Sequence, residues 1–284
     1  MYHSPVLPPS SEPWNPWNLS TLGDPLAPKS LTPHEPGTFC WPELATSDPE
    51  EAQLFYAALF GWTVVESETD VGPYYRFQLD GEDVGAACQV TPDQGPPHWN
   101  SYVAVSSVDE TTARVAALGG TVVAGPFDVF DAGRMAILKD PAGAFINLWQ
   151  AKNHIGAARF NDPGTLCWTE LATTDPAAAQ EFYTSLFGWT AKRGTAPPGE
   201  YTEFFNQGTP IGGMMRIQPE WGDVPPHWLP YFAVVDCDAS AGRIKQNGGT
   251  LPLPPKDIPG IGRFAIASDP QGATFAIIAL RQAA

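Results

Sequence analysis

The chain has 284 residues, 15 Lys and Arg against 31 Asp and Glu, a formal net charge of −16 and a pI near 4.5. That length suits two ordinary domains, and 43% hydrophobic with 16% charged residues describes packed cores rather than a disordered chain. So few, scattered basic residues exclude a nucleic-acid face and an anionic membrane surface as partners, and the acidity serves solubility.

Residues 1–36 hold nine prolines together with Trp14 and Trp17, and no apolar period. Proline fixes φ and removes a donor, so this stretch reads as an extended arm, not a helix or central strand. It is either a disordered tail or a segment draped over a domain or a second subunit through its tryptophans. The chain is accordingly expected to be a monomer, or a homodimer with the arm at the interface. The start lacks a basic region followed by an apolar one, and no apolar run approaches the ~18 residues of a membrane span. A cytoplasmic location is expected.

Alternating residues at 39–46 predict a strand with Trp41, Glu43 and Ala45 on one face and Pro42, Leu44 and Thr46 on the other. Asp48-Pro49 opens a helix, with Asp as N-cap and Pro at the first helical position. Ala52, Phe55, Tyr56 and Leu59 form one apolar stripe, and Gly61 stops the helix. Strands are predicted at 62–66, 74–79 and 82–90, giving the order βαβββ. A second unit follows, with a strand at 102–105, a helix at 109–118 ended by Gly119-Gly120, and strands at 121–124, 134–138 and 144–150. The turn Asp140-Pro141-Ala142-Gly143 precedes the last of these.

Residues 37–64 return at 164–191, with 19 of 28 positions identical and no gap. The echo continues: Pro225-Pro226-His227-Trp228 answers Pro96-Pro97-His98-Trp99, Gly262-Arg263 answers Gly133-Arg134, and Asp269-Pro270 answers Asp140-Pro141. A fixed-offset repeat of this strength marks a duplication. The chain is thus an arm at 1–36, a domain at 37–152, a linker at 153–163 and a second domain at 164–284, with four βαβββ units. Each unit's sheet is too small to bury a face alone, so paired units should curl into a cup with helices outside. Cys40, Cys88, Cys167 and Cys237 show no CxxC or zinc spacing and read as buried free thiols.

The strand and Asp-capped helix carrying Glu43-Leu44, Asp48, Phe55-Tyr56 and Leu59-Phe60-Gly61-Trp62, with the late DPxG turns at Asp140 and Asp269, resemble the vicinal oxygen chelate superfamily. That family includes glyoxalase I, bleomycin-resistance proteins and extradiol dioxygenases, and the likeness is closest to tandem glyoxalase-like proteins of actinobacteria. It covers 37–284 and implies an α+β fold of two tandem domains. It also implies metal ligands at the cup-facing start of each first strand and near the end of each last strand. Those positions hold Trp41, Tyr102, Trp168, Tyr231, Asn147 and Ala276, none a good divalent-metal ligand. No metal and no other cofactor is expected.

The candidate acid/base residues are Glu43 and Glu170, beside the indoles, and His98 and His227, the repeated histidines. Burial next to an indole would raise a carboxyl pKa and suit it to proton transfer. The bland alternatives are Glu salt-bridged to Arg134 or Arg263, or held by backbone amides, and His topping a strand on a carbonyl. Candidate ligand-binding residues are Trp41, Tyr102, Trp168 and Tyr231 as aromatic walls, Asn147 as a polar group in the first cup only, and Arg134 and Arg263 as clamps for an anion. Two functions follow: a binding protein for a planar or oxygen-rich small molecule, as in drug-resistance members, or a metal-independent lyase or isomerase of secondary or detoxification metabolism using Glu43 or His98. A third is a structural paralogue whose cups are filled by side chains.

Overall fold

The computed structural model describes residues 32–69, 72–196 and 199–281. Most of the arm, with Trp14 and Trp17, lies outside these residues. The first half runs β1 (Phe39–Thr46), α1 (Pro49–Phe60), β2 (Thr63–Thr69), β3 (Gly72–Leu79), β4 (Glu82–Gln89), β5 (His98–Ala104), α2 (Val108–Val115), β6 (Thr121–Val129), β7 (Gly133–Lys139) and β8 (Phe145–Ala151). The second repeats it as β9 (Leu166–Thr173), α3 (Pro176–Phe187), β10 (Thr190–Ala196), β11 (Gly199–Asn206), β12 (Thr209–Arg216), β13 (His227–Ala233), α4 (Cys237–Gln246), β14 (Thr250–Ile258), β15 (Gly262–Ser268) and β16 (Thr274–Leu280).

Each half is one eight-stranded sheet, ordered β2-β3-β4-β1-β5-β8-β7-β6 and β10-β11-β12-β9-β13-β16-β15-β14. The two units of a half meet where β1 and β5, or β9 and β13, pair antiparallel. The fold is α+β, with two tandem vicinal-oxygen-chelate cups. The helix ends form as the sequence predicts: Asp48 accepts from the Glu51 amide at 3.0 Å, and Gly61 closes α1 at φ 77°. Several strands are longer than predicted, β5 and β6 most of all. β5 begins at His98, because Trp99, Ser101 and Val103 continue its buried alternation. β6 runs on past Pro126, which an edge strand with register shifts accommodates.

The core lies between the halves. Phe55, Tyr56, Leu59 and Phe60 of α1 pack on Leu44, Phe77 and Trp99 of their own sheet and also on Phe232, Ala265 and Phe275 of the other. Symmetrically, Phe182 and Tyr183 of α3 pack on Val103, Leu138 and Leu148 of the first half. Trp62 Nε1 donates to the Gly164 carbonyl and Trp189 Nε1 to that of Gly37, both at 2.7 Å. The helix-covered faces therefore confront each other, and the two cups open away from the boundary.

Candidate functional site

Strand register builds the floor of each cup. Trp41 stands opposite Tyr102, Tyr102 opposite Asn147, and Asn147 opposite Ile137. One step along, Arg76, Ala86, Glu43 and Asn100 form the next row. Glu43 is the hub of these rows. Its Oε2 accepts from the Tyr74 hydroxyl and its Oε1 from that of Tyr102, each at 2.8 Å. Trp41 Nε1 donates to the Tyr74 oxygen at 3.1 Å. The second cup repeats the device: Trp168 Nε1 donates to Tyr201 at 2.9 Å, Tyr231 donates to Glu170 at 2.9 Å, and Tyr201 bonds the same carboxylate.

Burial raises the pKa of Glu43 and of Glu170, and the two tyrosine hydrogen bonds on each pull it partly back. Both glutamates are half-buried as residues, although protein surrounds the carboxyl groups. Burial, then the neighbouring carboxylate charge, holds Tyr74, Tyr102, Tyr201 and Tyr231 well above the ordinary tyrosine range. The tyrosines are thus neutral donors at physiological pH. Tyr74 and Tyr201 were missed in the sequence, although both sit at one place in the repeat.

The arginines require a correction. Arg134 does not reach Glu43 or the cup. On β7, Ala136 and Leu138 face the helices, and Arg134 shares their side. It forks onto Asp109 in the first turn of α2, at 2.7 and 2.8 Å, and touches Asp128 at 3.3 Å. Arg263 does the same with Asp238 and Asp257. Neither is placed to clamp a ligand in a cup, and tyrosines take the place of the salt bridge expected at Glu43 and Glu170.

The repeated histidines open β5 and β13. His98 Nδ1 donates to the Pro96 carbonyl and His227 Nδ1 to that of Pro225, both at 2.8 Å. His98 is exposed, and its charge pulls the Glu43 pKa down without a hydrogen bond between them. His227 is half-buried, and that burial lowers its pKa.

The linker crosses the first cup, which the sequence did not show. The His154 ring meets Trp41 edge-on at 4.7 Å and Trp149 at 6.0 Å, and Trp149 Nε1 donates to the His154 carbonyl at 2.8 Å. The Ala157 amide donates to the Cys40 carbonyl at 2.8 Å, and His34, near the end of the arm, bonds the Ala157 carbonyl at 2.9 Å. A cleft of about 320 Å3, lined by His34, Ala104, Trp149, Ala151 and Ile155 among others, opens beside this crossing. In the second cup, Ile261 and Ile258 pack against Trp168, Tyr231 and Ala276.

The divalent metal of the resembled family does not fit these side chains. Trp41 offers an indole, Tyr102 is a neutral phenol whose O–H is committed to Glu43, and Asn147 is a weak neutral oxygen. Among the described residues no group of three or more His, Cys, Asp or Glu is placed to hold a metal ion.

Residues 42–148 match the profile described as a glyoxalase-like domain, and residues 165–277 match that of the glyoxalase/bleomycin resistance protein/dioxygenase superfamily. The chain belongs to this superfamily. CFP32 of Mycobacterium tuberculosis, provisionally named a glyoxylase, is 41% identical over 248 residues, covering 85% of this chain and 94% of its own. The anthracycline biosynthesis protein DnrV of Streptomyces peucetius is 36% identical over 268 residues, covering 89% and 96%. Among solved structures, the Mn(II)-bound glyoxalase from Novosphingobium aromaticivorans superimposes with a TM-score of 0.62 at 15% identity, covering 86% of this chain and 82% of its own. The 2,3-dioxygenase LapB from Pseudomonas sp. KL28 gives 0.61 at 16%, covering 85% and 91%. At such identities the structures share the fold with this superfamily member, and nothing about chemistry is carried across.

Proposed function

We propose that this glyoxalase-like protein binds a planar, oxygen-bearing small molecule against the aromatic floor of a cup, in the manner of drug-binding members of its superfamily. The observation that carries this reading is the cluster of Trp41, Tyr74, Glu43 and Tyr102, copied as Trp168, Tyr201, Glu170 and Tyr231. In each cup one carboxylate, Glu43 or Glu170, fixes two tyrosines. Trp41 and Tyr102 are each 5% exposed, with His154 packed on the indole; a planar ring that displaced this cover would stack on them, worth ~0.5–1.5 kcal/mol per pair beyond buried area. The name of DnrV ties that relative to anthracyclines, which are planar and oxygenated, and this supports the same ligand class.

The test is tryptophan fluorescence quenching of the full chain by an anthracycline, against a non-planar solute of similar size. Saturable quenching weakened by Trp41→Ala or Trp168→Ala supports binding. Absence of saturation with planar aromatics favours cups filled by their own side chains.

A second reading is a metal-independent lyase or isomerase with Glu43 as acid/base. It is favoured by the raised pKa of a carboxyl on the cup side of β1. Glu43→Gln separates the two. Retained affinity with loss of ligand conversion marks the enzyme; a ligand recovered unchanged from wild type marks the binder.

A further inference from the structure

The two cups share the cluster of one Trp, two Tyr and one Glu but not the residues around it. Asn147 of the first is Ala276 in the second, Asn100 is Leu229, and Ala132 is Ile261. Ile261 is 8% exposed and packs into the apolar lining of its cup. At the same place Ala132 is smaller, and the linker brings His154 onto Trp41 and Trp149. The Gly156 amide donates to His154 Nδ1 at 3.2 Å, which puts the proton of the neutral ring on Nε2. Burial lowers the His154 pKa and favours that neutral ring.

Nε2 is buried and has no hydrogen-bond partner; the nearest carboxylate oxygen, Asp83 Oδ2, stands at 3.8 Å and already takes Arg76 at 2.7 Å. Asn147 is 3% exposed, and its Oδ1 likewise has no partner. Asn147 lies two residues before Trp149 on β8, on the cup side, and opposite Tyr102. One cup therefore holds a buried donor and a buried acceptor, both unanswered. Unmade hydrogen bonds of this kind are costly and mark places where a ligand or water completes the structure.

We infer that His154 Nε2–H and Asn147 Oδ1 are specificity determinants of the first cup, donating to a carbonyl and accepting from a hydroxyl of one planar ligand. In the second cup Ala276 stands where Asn147 does and the buried Glu203 where Arg76 does, so among the described residues the pair is not repeated there. The inference rests on the planar-ligand reading and adds a ligand class, hydroxylated quinones, and a choice of cup.

The test titrates the full chain with 1,4-dihydroxyanthraquinone and with unsubstituted anthraquinone, read by tryptophan quenching, with melting temperature as a check on folding. Wild type should bind the dihydroxy compound at one preferred site per chain, about tenfold tighter than anthraquinone. His154→Phe keeps a flat ring, removes the donor and should abolish most of that preference. His154→Gln restores a donor and should recover it. If His154→Phe fails to fold, Asn147→Leu removes the acceptor at near-constant volume and should lower the same preference. Equal binding of both probes, or a preference unchanged by the substitutions, overturns the pair and leaves the planar-ligand reading standing. Two equal sites per chain overturn the choice of cup. Binding of neither probe overturns both readings, and the two polar atoms then serve ordered water only.

Discussion

The Tyr56 hydroxyl crosses the boundary between the halves and donates to Asp269 Oδ2 at 3.1 Å. Asp269 begins the last DPxG turn, where its other oxygen accepts the Ala273 amide at 2.8 Å. Trp99 Nε1 in turn donates to the Tyr56 oxygen at 3.1 Å. Tyr183, Asp140 and Trp228 repeat the chain in the other direction. Tyr56→Phe removes one bond from a buried carboxylate and strands a buried indole N–H. It should destabilise the protein by ~1–3 kcal/mol in denaturant unfolding. Ligand affinity should not change, since Tyr56 lies on α1 in the core between the halves, away from the cups.

Gly120 of the first half sits against Phe182 on α3 of the second. A Cβ there would meet Phe182 Cε2 at 2.5 Å and the Lys139 carbonyl at 2.8 Å. Neither the ring, buried in the shared core, nor the backbone has room to withdraw. Gly120→Ala should cost ~1–3 kcal/mol by overpacking. Gly249→Ala, which would press on Phe55 Cε2 at 2.9 Å, should do the same. Thermal melts of the two variants check both, and wild-type melting temperatures would refute the tight boundary.

Glu43 and Glu170 impose a pH dependence of definite sign. Their pKa values lie above the ordinary 4.5 because burial penalises the charged form. The folded state then holds protons more tightly than the unfolded one. Their contribution is full below the unfolded value and is lost as pH rises through the raised folded value. Against the double variant Glu43→Gln, Glu170→Gln, wild type should lose relative stability across that window and show a constant difference above it. Urea unfolding of both proteins at a series of pH values from 4 upward checks the sign, and a wild type that gains on the variant would contradict it.

Arg134→Ala removes a fork onto Asp109 that is open to solvent. Such pairs contribute little and are screened by salt. The melting temperature should fall slightly at low salt and hardly at all at high salt. Binding of planar probes should be unchanged, which separates this placement from a clamp in the cup.

Local signals made much of the fold legible. Asp48, Pro49 and Gly61 announce a helix because caps act within a few residues, and alternation correctly placed Trp41 and Glu43 on the cup side. Long-range pairing was not legible. Whether Tyr74 or Tyr75 faces the cup depends on the register of β3 against β4, which sets Tyr74 opposite Cys88. A one-residue shift reverses every side chain, and the same uncertainty misplaced Arg134. His154 looked like an inert linker residue because only the path of the linker, anchored by Ala157 on Cys40, brings it over Trp41.

The placement of α1 and α3 between the two sheets also governs how a duplicated chain can diverge. Each helix answers to both sheets, so a substitution there must suit two surroundings at once. Many of the residues that meet that demand are the same in both copies: Leu44 and Leu171, Phe55 and Phe182, Tyr56 and Tyr183, Trp62 and Trp189, Phe77 and Phe204, Trp99 and Trp228. The cup walls answer only to what they enclose, and there the copies part at Asn147 and Ala276, Ala132 and Ile261. Two interlocked halves thus leave one surface free to specialise, the inner surface of the cups.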